Sequence, residues 1–171
     1  MDNVQWSIRP LESNDVHEIV QIENAVFKDS AWSKLDFIST LKLKSTNGIV
    51  VTNQSIIVGY LVYSTIKPKR NSSYRVYTIL NIAVDPVLQR LGAGTVLIKH
   101  LIDKVHKYKH GSLINIVMNE YYLKAQLFMR SNGFKAIEVM KNFISSDISA
   151  YNMVYKQDEK SENEQTTVSA Q

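Results

Sequence analysis

Residues 77–108 hold the arrangement that most limits how this chain can fold. An apolar run over 77–84 leads into Asp85-Pro86-Val87-Leu88-Gln89-Arg90-Leu91-Gly92-Ala93-Gly94, and a helical pattern follows over 95–108. The segment reads as a strand, a proline-marked turn, a glycine loop and a helix. Gly92 and Gly94 allow φ/ψ values and close approaches that other residues resist. A loop that ends at a helix N-terminus turns several N–H groups toward one point, where the helix dipole is positive. That is a site for phosphate.

The remaining elements fall on either side of this unit. A short strand is expected over 4–9, then a helix capped by Ser13 and running to Phe27, with Val16, Ile19, Val20, Glu23, Val26 and Phe27 near 3.6-residue spacing. Ser33 and Asp36 resemble a capping box before a second helix through Phe37, Leu41 and Leu43. Residues 49–52 and 56–65 read as a hairpin, 67–73 as a polar loop, and 74–84 as a long strand. Apart from Asn81, 79–84 is apolar on both faces, which predicts a central strand. A helix over 92–109, a buried strand over 113–118 and a short helix over 123–131 follow, the last stopped by Asn132-Gly133. Strands over 134–140 and 151–155 close the order, which is β-α-α-β-β-β-α-β-α-β-β, a mixed α/β sheet. One domain is expected over 1–156, with a polar, disordered tail over 157–171.

Composition narrows the chemistry. The 171 residues contain no cysteine, which removes disulfides, Cys-ligated zinc, iron–sulfur clusters and a thiol nucleophile. The start carries no basic and apolar leader pattern, and no apolar run approaches the ~18 residues of a membrane span. A cytoplasmic protein without membrane contact is the expectation, with a monomer as the default. Net charge is +4; four acids and one lysine in the tail contribute −3, leaving +7 on the body. That balance suits a polyanionic ligand such as a nucleotide-bearing cofactor. Nucleic acid is not expected, because Lys67, Lys69 and Arg70 form only a short basic loop. The four histidines have no metal-ligand spacing, so no metal is expected.

The order of elements, with Gln89-Arg90-Leu91-Gly92-Ala93-Gly94 at the fourth strand–helix junction, resembles the GNAT acetyltransferases, whose acetyl-CoA loop follows Q/R-x-x-G-x-G/A. A Walker loop is excluded because no Gly-Lys-Ser/Thr follows, and a Rossmann fingerprint lacks its third glycine and early strand. Four further segments look like the ribosomal-protein-alanine N-acetyltransferases and the eukaryotic N-terminal acetyltransferases. They are Ile22-Glu23-Asn24-Ala25-Val26-Phe27 with Ala31-Trp32-Ser33, Val58-Gly59-Tyr60-Leu61-Val62, Leu80-Asn81-Ile82-Ala83-Val84, and Ala125-Gln126-Leu127-Phe128 through Gly133-Phe134. The resemblance implies a GNAT fold: a twisted, mixed, mostly antiparallel sheet of about seven strands with about four helices. It implies acetyl-CoA as co-substrate, with Gln89, Arg90, Leu91, Gly92, Ala93, Gly94 and Thr95 at the pyrophosphate. Ile82, Ala83 and Val84 would pair with the pantetheine arm, where the fourth strand splays from the fifth. A backbone N–H there would polarise the thioester carbonyl.

The same resemblance implies polar residues that this chain lacks. Counting back from Gly133-Phe134, the family Glu of the fifth strand falls on Val117, the helix Tyr on Met129 and the helix-opening Asn on Tyr122. The candidate substitutes are Glu120, otherwise a first-turn acid favouring the helix dipole, and Tyr122, otherwise a packing residue. Tyr77 and Asn81 are possible water-holders that share a face of the fourth strand under simple alternation. Phe27 and Trp32 near the first two helices, and Phe143-Ile144 just after the sixth strand, are candidates for an acceptor wall; Lys28 and Asp29 lie beside them. Three functions stay open: acetylation of a protein or peptide amine, foremost an N-terminal α-amine; acetylation of a small-molecule amine; and a catalytically silent acetyl-CoA-binding module.

Overall fold

Alternating and helical apolar patterns together dictate a sheet covered on both faces. The computed structural model describes residues 4–68, 74–107 and 112–157. In chain order the elements are β1 (Trp6–Pro10), α1 (Val16–Phe27), α2 (Lys34–Leu41), β2 (Thr46–Asn53), β3 (Ile56–Ile66), β4 (Val76–Val84), α3 (Ala93–His106), β5 (Leu113–Asn119), α4 (Leu123–Ser131), β6 (Lys135–Ser145) and β7 (Ile148–Lys156). The strands form one seven-stranded sheet in the order β1-β2-β3-β4-β5-β7-β6. Every neighbouring pair is antiparallel except β4–β5, which is parallel. This is the fold class expected. The basic loop residues Lys69 and Arg70, His110 and the tail acids lie outside the described residues. Among those described, no helix is long and apolar enough to cross a membrane.

Each face of the sheet carries its own core. On one, Leu97, Ile98, Leu101 and Val105 of α3 and Met129 of α4 pack on Val51, Leu61, Ile79, Ile114 and Ile116. On the other, Val16, Ile19 and Ile22 of α1 and Phe37 of α2 pack on Val50, Tyr60, Val62 and Ala83. The capping box before α2 forms as expected: Asp36 N–H donates to Ser33 Oγ at 3.2 Å, and Ser33 N–H donates to Asp36 Oδ2 at 2.7 Å.

Three local expectations change. Ser13 does not cap α1; Ser13–Asp15 is a 3₁₀ turn, and Asp15 instead accepts from Glu12 N–H and from Arg9. Strand β6 runs on to Ser145 because β7 pairs with it as far as Ile148, so Phe143 and Ile144 lie within the strand rather than after it. The third change matters most for the site. Val62 pairs with Asn81 while Tyr63 pairs with Ile79, which leaves Leu80 as a bulged extra residue. Alternation inverts there. Tyr77 and Ile79 join the α3 core, whereas Asn81 turns toward α1. Tyr77 and Asn81 therefore lie on opposite faces.

Candidate active site

The bulge coincides with a gap in the sheet. Parallel pairing between β4 and β5 runs only from Val76↔Leu113 to Ile79↔Ile116. Beyond it, β5 continues on β7 alone and β4 on β3 alone. The edge of Leu80–Val84 that faces β5 is left unpaired, as is the facing edge at Val117. An extended chain with amide groups can add to such an edge.

The loop after β4 is fixed at several points. Asp85 N–H donates to Val58 O at 2.9 Å, and the Asp85 carboxylate accepts from Val87 N–H at 2.9 Å. Gln89 Nε2 donates to Val84 O at 3.0 Å, so this side chain braces the loop rather than projecting from it. Trp6 Nε1 of β1 donates to Leu91 O at 3.0 Å. Arg90 takes φ +65° and Gly92 φ +96°, so the chain turns twice through the left-handed region before α3 begins at Ala93. A Cβ on Gly94 would stand 3.1 Å from the Phe128 ring, so glycine allows α3 and α4 to close on each other. Among the described residues, the N–H groups of Arg90, Gly92, Ala93, Gly94 and Thr95 take no partner from the chain, and Val96 N–H bonds back to Gly92 O at 3.0 Å. These free donors at the positive end of a 14-residue helix make a cradle for a pyrophosphate. The donor set and the unpaired β4 edge fit the two parts of a CoA thioester.

Beyond the gap, the sequence-predicted candidates separate. The Tyr122 ring lies 6.2 Å from the Phe27 ring, which joins the start of α4 to the end of α1. Tyr122 is about two-fifths exposed, and no cap or hydrogen bond engages its hydroxyl among the described residues. Trp32 packs edge-on against Phe37 at 5.3 Å, within the α1–α2 core. Phe143 stands exposed on β6. The Glu120 carboxylate accepts from Ser149 N–H at 2.7 Å while Glu120 N–H donates to Ser149 O at 3.1 Å. That reciprocal pair ties the end of β5 to the start of β7. Val117 is partly exposed on the face opposite α3, and Met129 is buried in the α3–α4 core. Among the described residues no cluster of three or more His, Asp or Glu side chains is disposed to hold a metal ion.

A polar group that the residue-by-residue reading passed over sits behind β4. Glu23 is 1% exposed, and its carboxylate accepts from Trp32 N–H at 2.8 Å, from Asn81 Nδ2 at 3.0 Å and from the Tyr60 hydroxyl. Burial, the nearby Glu23 charge and their hydrogen bond all push the Tyr60 phenol up, so it stays protonated. The sequence carried a signal for this cluster, since Glu23 is the one acid in the apolar stripe of α1.

Comparison with known proteins agrees with this geometry. The model of the acetyltransferase (GNAT) family matches residues 14–134. Among solved structures, the ribosomal-protein-S18-alanine N-acetyltransferase from Escherichia coli superposes with a TM-score of 0.76 at 23% identity, covering 93% of this chain and 98% of that one. Ard1 from Thermoplasma volcanium gives 0.73 at 20% identity, covering 88% and 97%. Arabidopsis thaliana NAA60 in complex with acetyl-CoA gives 0.73 at 12% identity, covering 89% and 98%. At these identities the likeness shows the fold. No curated protein matches the chain significantly.

Proposed function

The chain belongs to the acetyltransferase (GNAT) family, and on that premise we propose that it transfers the acetyl group of acetyl-CoA to an amine of a peptide or protein, foremost an N-terminal α-amine. The observation that supports it best is the conjunction of the free N–H cradle of Arg90 and residues 92–95 with the unpaired edge of β4. The amine nitrogen would attack the thioester carbonyl carbon directly, the C–S bond would break, the nitrogen would lose one proton to solvent, and CoA would leave as a thiol once its sulfur is protonated. The proton donor we propose is the Tyr122 hydroxyl, whose ring stands 6.2 Å from that of Phe27. Phe27, Trp32 and Phe143 are proposed as the acceptor wall.

The missing base argues for the α-amine. With Val117 where a family carboxylate is expected, and with the Glu120 carboxylate bonded to Ser149, the acceptor would have to arrive neutral. An α-amine of pKa about 8 is neutral about 230 times more often than a lysine of pKa about 10.4 at pH 7. Proximity to the thioester would supply much of the rate. The E. coli structure that the fold resembles is of an enzyme named for a protein acceptor, which accords with this reading.

The test is acetyl-CoA turnover against short peptides that differ in their first two residues, read by CoA release and by product mass. Acetylation confined to the N-terminal amine is expected. Turnover only with small amines would move the acceptor class. Binding of acetyl-CoA that Gly92→Glu abolishes, with no product on any amine, would leave a silent binding module.

A further inference from the structure

A buried acid in an acyltransferase invites the role of general base, yet the surroundings of Glu23 oppose it. Both of its oxygens are engaged by donors, and the side chain is 1% exposed. Among the described residues no cation pairs with it; the donors are a backbone amide, a side-chain amide and a phenol. Burying a carboxylate among Ile19, Ile22 and Phe37 is costly, and an apolar residue would pack there without that cost. The three donors come from different places that matter. Asn81 directly follows the bulged Leu80, where β4 parts from β5. Trp32 lies two residues before α2, in the connection from α1, and is itself part of the proposed acceptor wall. Tyr60 lies on β3, directly opposite Ala83.

We infer that Glu23 is a positioning residue, a brace that holds the bulged segment of β4 and the α1–α2 turn in one fixed relation, so that acceptor and thioester meet in register. This inference rests on the acetyl-transfer reading. The brace works by geometry and not by charge. With glutamine at position 23, the amide oxygen would keep the bonds from Trp32 and Asn81. The amide nitrogen would donate to Tyr60 Oη, and Tyr60 would turn its proton to Asn81 Oδ1, already 3.2 Å away. The three donors that Glu23 now satisfies would keep an acceptor, and only the second amide hydrogen of the glutamine would be left without one. With alanine, Trp32 N–H and Asn81 Nδ2 would lose their acceptor inside an apolar core.

The experiment compares Glu23→Gln and Glu23→Ala in the full chain. Three measurements are made: turnover against pH, acetyl-CoA affinity by calorimetry, and amide hydrogen exchange at Trp32 and residues 81–83. Glu23→Gln should stay within about threefold of wild type in kcat/KM, with an unchanged pH profile. Glu23→Ala should lower kcat and speed exchange at both arms of the brace, each by about tenfold or more. If Glu23→Ala does not fold, Asn81→Ala cuts the β4 arm alone and carries the same expectation for turnover and for residues 81–83. A glutamine variant as slow as the alanine variant, with its acid limb lost, would make Glu23 a base and overturn the inference. So would wild-type exchange and turnover in Glu23→Ala. Should wild type bind acetyl-CoA but acetylate no peptide, the acceptor reading fails, while exchange and affinity still decide on the brace.

Discussion

Replacing Gly92 by alanine isolates the conformational demand of the cofactor loop. Gly92 sits at φ +96°, ψ −9°, as the residue preceding the first turn of α3. A Cβ there would meet only Trp6 Nε1, at 3.7 Å, an ordinary contact. The substitution therefore costs backbone strain and nothing else, about 1–2 kcal/mol for an L-residue in the left-handed region. In a chain of 171 residues each kcal/mol lowers Tm by about 2–4 °C, so a fall of about 2–8 °C is expected if the loop holds its shape. If the loop relaxes to negative φ instead, Tm recovers but the N–H groups of residues 92–95 turn away from their common point. The strain then appears as weaker acetyl-CoA binding, by about 5–30-fold for the same 1–2 kcal/mol. Thermal unfolding and calorimetric titration with acetyl-CoA read the two arms. Gly94→Ala is the control. Gly94 has no left-handed φ, its Cβ need displace only the edge of the Phe128 ring, and helix propensity gains up to about 1 kcal/mol in compensation. A Gly92→Ala protein with wild-type Tm and wild-type affinity would refute the assignment of this loop as a strained phosphate cradle.

Two further perturbations address the edges of the site and of the fold. Glu120→Gln keeps an oxygen for Ser149 N–H and should retain turnover within about threefold, whereas Glu120→Ala should cost about 1–3 kcal/mol in thermal stability; a hundredfold loss in the glutamine variant at wild-type Tm would assign Glu120 to catalysis after all. Asp15 is held below the usual carboxylate range first by its hydrogen bond with Arg9, against the opposing effect of burial. A depressed native pKa means that this contribution is fully present above the unfolded value of about 3.9 and fades as pH falls below it. Tm measured from pH 6 to pH 2 should therefore drop less steeply on the acid side in Asp15→Asn than in wild type, and parallel curves would remove Asp15 from the account of acid stability.

Periodicity made most of the fold legible. The stripe of α3 and the alternation of the strands report burial directly, and the Ser33–Asp36 box marks the start of α2 within a single turn. What stayed hidden depends on partners distant in the chain. Leu80 bulges because β3 pairs around it, and an apolar run offers no local sign of the extra residue. The end of β6 is set by β7, not by its own sequence. Glu23 stands in the α1 stripe with no local sign of its role, because the three groups that satisfy it come from positions 32, 60 and 81.

The two halves of the candidate site differ in legibility for a related reason, and the difference leads to a pH dependence. The acetyl-CoA half is built from backbone groups, and a backbone can be shaped that way only with glycine at fixed positions, so residues 89–95 announce it. The proposed acceptor half would be assembled from the end of α1, the β5–α4 turn and β6, by side chains that each have an ordinary packing role elsewhere in proteins. With Val117 and Met129 apolar and Glu120 tied to Ser149, none of these three positions offers a free carboxylate to take the ammonium proton. The acid limb of the rate should then belong to the substrate. For a peptide acceptor, kcat/KM should rise about tenfold per pH unit up to the pKa of its own α-amine, near 8, and level off above it. An acceptor whose α-amine is made less basic by one unit should move that limb down by one unit with it. An acid limb that stays at one pH across acceptors would belong to a group on the enzyme, and a base on this chain would then have to be found.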